Sequence, residues 1–382
     1  MCRRKVQGAK VMKRLRVLVV DDSAFMRKII SNLINEAPGL EAVGTARDGQ
    51  DALAKVREFK PDVITLDVEM PRMDGLTFLK RLMADHPIPV VMLSSLTQKN
   101  AQTTIQALSL GAVDFVAKPS GTISLDIRKV GDELVRKLKA AAKVNTDNLL
   151  QGTAGQGRRP PARVKDQEQV VVPGSTASRV VVIGASTGGP GALQVVIPSL
   201  PGSLAAGVLV VQHMPPGFTR SLAERLDSVS ALRVKEAQRG DPIREGSVLV
   251  APGGHHLVVT PDRTVTLEDS PPVHGVRPAV DVTLKSAVRV YGGQILGVIL
   301  TGMGFDGAQG VAQVRRAGGK SIAQDEATCV VYGMPRAVVE MGNADRVLPL
   351  DEIGQQITRM VGRRRAWIPC RSTSISARRS SS

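Results

Sequence analysis

The feature that most limits what this chain can fold into is an alternation. Between residues 15 and 140, short β-branched runs at Val17–Val20, Glu41–Thr45, Val63–Leu66, Val90–Leu93 and Asp114–Ala117 are separated by longer amphipathic stretches. Strands alternating with helical patterns imply a parallel sheet covered by helices on both faces. In such sheets the working groups collect beyond the carboxyl ends of the strands. The first run ends in Asp21 and Asp22, the third in Asp67 and the fourth in Ser94, and the fifth is followed by Lys118 and Pro119. Clustered carboxylates repel one another unless a hard cation neutralises them, and an all-oxygen site of this kind suits Mg²⁺. Asp67 can then act as a carboxylate nucleophile towards a phosphoryl group, with Lys118 and Ser94 placed to stabilise the added charge. Helix capping accounts for Asp21 or Asp67 taken singly. It does not account for all four strand ends at once.

From about Val144 to Ser178 the hydrophobic period is lost and Gln, Gly, Pro and Arg accumulate, which is linker composition. A second folded unit is expected after it. Arg179 to Leu193 is an apolar strand running into a Gly-rich turn and a helix, and Gly184-x-Ser186-x-Gly188 has the form of a nucleophile elbow. A turn of this composition also cradles phosphates, so hydrolase and nucleotide-binding readings both stand at this point. A serine nucleophile needs a base and an orienting group. Of the five histidines, His86 belongs to the first unit, His255 and His256 suit a hairpin after Gly253-Gly254, and His274 lies in a Pro-rich loop. His213 differs, because it ends the apolar run that begins at Val208. Consecutive strands of a parallel sheet are usually neighbours, which lets His213 face Ser186. A third apolar run, Gln294 to Leu300, leads into a glycine-bracketed loop bearing Asp306, where helix capping is the competing view. The order Ser186, His213, Asp306 is not that of the α/β-hydrolases.

Two resemblances follow from these residues. Val19-Val-Asp-Asp-Ser23, Leu66-Asp-Val-Glu-Met-Pro-Arg-Met-Asp-Gly75 and Asp114-Phe-Val-Ala-Lys-Pro119 resemble two-component receiver domains. That resemblance implies Asp67 as phosphoacceptor, and Mg²⁺ held by Asp22, Asp67 and the Glu69 carbonyl with Asp21 in the same acidic pocket. It also implies phosphoryl contacts from Ser94 and Lys118, and Phe115 as an aromatic switch residue. Gly184-Ala-Ser-Thr-Gly-Gly189, Gln212-His-Met-Pro215, Ala251-Pro-Gly-Gly-His255, Arg277-Pro-Ala-Val-Asp281, Leu300-Thr-Gly-Met-Gly-Phe-Asp-Gly307, Ala323-Gln-Asp-Glu326 and Tyr332-Gly-Met-Pro335 resemble the catalytic domain of the CheB chemotaxis methylesterases. What this implies is hydrolysis of glutamate γ-methyl esters on chemoreceptor helices, and deamidation of receptor glutamines, with Ser186, His213 and Asp306 catalytic. Backbone N–H groups near the Gly-rich turns, with Met303, would form the oxyanion site. A chemotaxis histidine kinase would be the phosphodonor, and the catalytic domain would need no cofactor. The expected architecture is α/β, with two doubly wound parallel-sheet domains, a flavodoxin-like receiver over 14–135 and a Rossmann-like methylesterase domain over 179–362. A flexible linker over 144–178 joins them, and a basic disordered tail occupies 363–382.

Composition narrows the alternatives. No apolar run approaches the ~20 residues of a membrane span, no secretory signal is visible, and the cysteines Cys2, Cys329 and Cys370 have neither metal nor disulfide spacing. A cytoplasmic protein is expected, meeting membranes only through receptors. The net charge of +16 is concentrated at the ends, seven Lys/Arg in residues 1–16 and six Arg in 363–382 with no acids in either. A folded nucleic-acid binder would carry basic residues interleaved with aromatics on its body, so no nucleic-acid partner is expected. A DNA-binding output domain would show a helix-turn-helix pattern after the linker. A nucleotide-binding one would have no use for His213 and Asp306.

Overall fold

The computed structural model describes residues 14–95, 97–118, 126–144 and 175–362. The basic ends and most of the linker expected over 144–178 lie outside the described residues.

The first sheet is built as the alternation requires. Strands β1 (Leu15–Val20), β2 (Leu40–Ala46), β3 (Val63–Asp67), β4 (Val90–Ser94) and β5 (Asp114–Ala117) pair in the order β2-β1-β3-β4-β5, every pair parallel. Helices α1 (Ala24–Glu36), α2 (Gly49–Phe59), α3 (Gly75–Asp85), α4 (Gln98–Ser109) and α5 (Asp126–Ala141) connect and flank them. The helix starts follow from local chemistry: Ser23, Asp48, Asp74 and Thr97 each accept a backbone N–H of the first turn. Strand order reverses between β1 and β3, and Asp21 and Asp67 stand on the two sides of that crevice.

The second sheet has seven parallel strands in the order β14-β13-β12-β6-β7-β9-β8. They are β6 (Val180–Ala185), β7 (Gly207–Gln212), β8 (Arg233–Glu236), β9 (Ser247–Val250), β12 (Ile295–Ile299), β13 (Lys320–Gln324) and β14 (Arg346–Leu348). An antiparallel hairpin, β10 (His256–Val259) with β11 (Val265–Glu268), stands apart from it, as Gly253-Gly254 before His255 suggests. Around the sheet lie α6 (Gly189–Ser199), α7 (Phe218–Val229), α8 (Val280–Tyr291), α9 (Ala308–Arg316), α10 (Met334–Glu340) and α11 (Leu350–Val361). The central strands are buried on both faces, β6 and β7 along their whole length, which is why they read as continuous apolar runs rather than alternating ones. Two α/β units are therefore present, as expected. Among the described residues no helix is long and apolar enough to cross a membrane.

The units touch. Ile105 and Leu108 of α4 and Phe115 of β5 share one buried apolar cluster with Leu193 of α6 and Phe218 and Leu222 of α7. The rings of Phe115 and Phe218 stack with centroids 4.3 Å apart. Polar bonds frame the contact: Thr187 Oγ1 donates to Asp114 Oδ2 at 2.6 Å, and Ser109 Oγ to Gln194 Oε1 at 2.7 Å.

Candidate active site and acid cluster

Ser186 follows the last residue of β6, and its two sheet neighbours supply the other candidates. β6 pairs with β7 on one side and β12 on the other. His213 follows β7, its N–H bonded to Ala185 O at 3.1 Å, and Asp306 lies in the loop after β12. All three therefore sit at the carboxyl edge, where the strand order reverses between β6 and β12.

The turn is held tightly. Ser186 N–H donates to Thr301 O at 3.1 Å, and Gln212 Nε2 donates to Ser186 O at 2.9 Å. Gly188 has φ +76°, and a Cβ there would lie 2.5 Å from Val330 Cβ. Gly302 packs directly on the serine, where a Cβ would lie 2.8 Å from Ser186 Cβ. Thr301 is itself fixed, its N–H donating to Gln324 Oε1 and its hydroxyl to Thr187 O. Gln212 and Thr301 lie inside the motifs Gln212–Pro215 and Leu300–Gly307, where the sequence gives neither a role of its own. Their positions at the ends of β7 and β12, flanking the serine strand, are the signal that could have found them.

His213 Nε2 lies 2.8 Å from Asp306 Oδ2, which leaves Nδ1 as the ring nitrogen available to the serine. Among the described residues Ser186 Oγ makes no hydrogen bond to His213, a looseness common in sites without substrate. Asp306 is buried, and its oxygens accept the N–H groups of Val280 at 2.7 Å and Asp281 at 3.0 Å. Burial alone would raise this carboxyl. The bond to His213, the charge of that ring and the two backbone donors outweigh it and hold Asp306 below the usual carboxylate range. Met303 stands half-buried in the same loop, with Arg136 Nη1 of α5 donating to its Sδ at 3.6 Å.

His274, Asp281 and Asp306 bring ligand-type atoms within 4.8 Å of one another. All four carboxylate oxygens there already accept N–H bonds, from Val280, Asp281, Gly310, His213 and His274. That is hydrogen-bond saturation rather than an open coordination sphere.

In the first unit, Asp21, Asp22 and Asp67 present oxygens within 4.8 Å of one another. Lys118 Nζ reaches Asp21 Oδ2 and Asp67 Oδ2, each at 2.8 Å. Three carboxylates against one ammonium leave a negative, oxygen-only pocket, the donor set that a hard divalent cation takes. Burial pushes the Asp67 carboxyl up to about 6, against the pull of Lys118 and with a further push from Asp21. Ser94 is fully buried, and its hydroxyl faces α4, accepting from Thr104 Oγ1 at 2.8 Å, rather than the acids. The Glu69 side chain is exposed and pairs with Lys99 at 3.0 Å.

Fold and site together define a class: a doubly wound unit ending in an acid cluster with a lysine, packed on a second one that brings Ser, His and Asp to adjacent strand ends. Residues 181–357 match the CheB methylesterase family model, and residues 17–128 match the response regulator receiver domain. The chain is 56% identical over 92% of its length to the protein-glutamate methylesterase/protein-glutamine glutaminase of Symbiobacterium thermophilum, 99% of which is covered. It is 49% identical over 91% of its length to the protein of that name from Pyrococcus abyssi, with 94% of that protein covered. The solved CheB methylesterase catalytic domain of Thermotoga maritima is similar at 49% identity, covering 48% of this chain and 98% of that one, with a TM-score of 0.47. This chain belongs to the CheB methylesterase family and carries that family's receiver domain.

Proposed function

We infer that the chain removes methyl groups from glutamate γ-methyl esters of chemotaxis receptors and deamidates receptor glutamines, under control of its phosphorylated receiver. The observation that carries this reading is the convergence of Ser186, His213 and Asp306 at neighbouring strand ends, with Asp306 bonded to the imidazole. Ser186 Oγ attacks the side-chain carbonyl of the substrate glutamyl ester while His213 takes the hydroxyl proton at Nδ1. Asp306 steadies the imidazolium through Nε2. The tetrahedral adduct collapses, its C–O bond to the methoxy group breaks, and His213 returns the proton to the departing methanol. Water then attacks the acyl-serine carbonyl with His213 as base, the C–O bond to Ser186 Oγ breaks, and His213 returns the proton to that oxygen as the glutamate leaves. With a glutamine substrate the leaving group is ammonia. Backbone N–H groups of the Gly-rich turns, with Met303 beside them, face the developing oxyanion.

The receiver spans 14–135 and the hydrolase 179–362, joined over 144–178. Asp67 accepts the phosphoryl group from a chemotaxis histidine kinase. Asp22, Asp67 and the Glu69 carbonyl would hold Mg²⁺, with Asp21 in the same acidic pocket, and the ion would neutralise the acids and the incoming phosphate when bound. Lys118 contacts the phosphoryl oxygens, and Ser94 does so after turning from Thr104. Because β5 and α4 sit on α6 and α7, the unphosphorylated receiver covers the approach to Ser186. Charge added at Asp67 draws Ser94 and Lys118 towards it, so the β4–α4 and β5 segments that make the contact are the ones that must shift.

The chemistry is tested by methanol release from methylated receptor. Ser186→Ala should abolish it while leaving the melting temperature unchanged, since one hydroxyl at a half-buried turn adds little packing. Wild-type turnover in that variant would refute the hydrolase reading.

A further inference from the structure

We propose that His274 and Asp281 are positioning residues, a second His–Asp pair that anchors the helix turn holding the triad carboxylate of Asp306. The proposal rests on the assignment of Asp306 to the catalytic triad and deepens it.

Two helices meet at this point, and neither has a side-chain cap of its own. The N-cap of α8 is Ala279 and that of α9 is Gly307, and neither provides a side-chain hydrogen bond. The first N–H groups of a helix need acceptors, and here each helix takes them from the other's leading segment. Asp306, two residues before α9, accepts the N–H groups of Val280 and Asp281 in the first turn of α8. Asp281, in the first turn of α8, accepts the N–H of Gly310 in the first turn of α9 at 2.6 Å. The two helix starts are cross-clamped by two carboxylates, and a Cβ added at Gly310 would lie 3.1 Å from Asp281 Oδ1.

Such an arrangement places two buried acids side by side, which is unfavourable unless hydrogen-bond donors face them. His213 meets Asp306, and His274 Nε2 meets Asp281 Oδ2 at 2.9 Å. Burial and the charge of Asp306 raise the Asp281 carboxyl, while the Gly310 N–H and His274 oppose the rise. His274 is held in the left-handed region at φ +54°, a conformation that non-glycine residues seldom adopt. Its ring also meets the edge of Phe305, the residue before Asp306, at 4.7 Å between centroids. His274 therefore contacts both the turn that holds Asp306 and the loop that carries it, and among the described residues it makes no hydrogen bond to Ser186 or His213. If this pair lets go, the α8 turn can shift, and Asp306 loses the two donors that fix which oxygen faces His213.

A positioning role acting through Asp306 predicts non-additivity. The experiment measures methanol release by the full chain, phosphorylated with a small phosphodonor and Mg²⁺. The variants are Asp281→Asn, His274→Gln, Asp306→Asn and the doubles of each of the first two with the third. Asp281→Asn and His274→Gln should each lower kcat on the order of tenfold, with KM unchanged. In the Asp306→Asn background each should change kcat by less than about twofold. Losses that multiply in the doubles, losses carried by KM, or wild-type kcat in both singles would overturn the proposal. Should Asp281→Asn melt below the assay temperature, the His274→Gln cycle decides, since that ring is partly exposed and its loss leaves the core packed. Wild-type kcat in Asp306→Asn itself would instead overturn the triad assignment, and with it the proposal.

Discussion

Thr187, the residue after Ser186, donates its hydroxyl to Asp114 at the start of the receiver's last strand, 2.6 Å away in a buried contact. The Ser186 turn and the receiver are therefore tied by a direct bond to a carboxylate. Hydrogen bonds to charged acceptors contribute about 1.5–3 kcal/mol. Asp114→Ala should weaken docking enough to raise the unphosphorylated rate of methanol release about tenfold, since 1.4 kcal/mol is a factor of ten. A folded Asp114→Ala protein with the basal rate of the wild type would show that this bond does not hold the cover in place.

Graded losses should separate the three triad positions. If Ser186 is the nucleophile and His213 its base, Ser186→Ala and replacement of His213 should each cost on the order of 10⁴ in kcat or more. Asp306→Asn should leave measurable turnover, because orientation of the ring is lost before the nucleophile is. Single-turnover methanol release orders them. Asp306→Asn as inactive as Ser186→Ala would mean that the carboxylate does more than orient.

The burial of Asp67 has a thermodynamic consequence. A carboxyl raised from 3.8 to about 6 on folding holds a proton in the native state that the unfolded chain has already released. Its contribution to stability is thus greatest at low pH and diminishes as pH rises from about 4 to about 6. Urea midpoints of the Mg²⁺-free protein across that window should fall relative to those of Asp67→Asn as pH rises. Parallel curves for the two would mean that this carboxyl titrates in the ordinary range.

The charge at the two ends should be separable from the chemistry. Deleting residues 1–11 and 366–382 removes basic residues but no periodic apolar face. The rate on soluble methylated receptor should be unchanged, with at most a salt-screened loss of association. A large loss of turnover persisting at high salt would show that these segments pack on the hydrolase.

Strand ends were the most legible part of this protein, because a strand buried on both faces is mostly apolar and the charged or nucleophilic residue that closes it marks the carboxyl edge of the sheet. Asp21, Asp67, Ser186 and His213 all stand at or just beyond such an edge. Asp306 follows from the same logic, though it lies in a loop seven residues past β12, where bracketing glycines stand in for the strand end. Less legible was whatever depends on register between distant segments. Nothing local in Val280-Asp281 shows that its N–H groups serve Asp306, since the pairing spans 25 and 26 residues. The choice of Nε2 for Asp306, the facing of Ser94 towards Thr104 and the Asp114–Thr187 bond likewise arise only after packing. Strand β8, Arg233–Glu236, carries a single buried residue on a sheet edge and gives almost no apolar signal.

An esterase of Ser186, His213 and Asp306 lying under the receiver would be uncovered by phosphorylation of Asp67. The most direct test is the rate of methanol release from methylated receptor by the full chain, before and after addition of a small phosphodonor with Mg²⁺. Release should be slow before addition and rise markedly after it, with no rise in Asp67→Ala, if phosphorylation uncovers the site. A full rate before addition, unchanged by the phosphodonor, would contradict it.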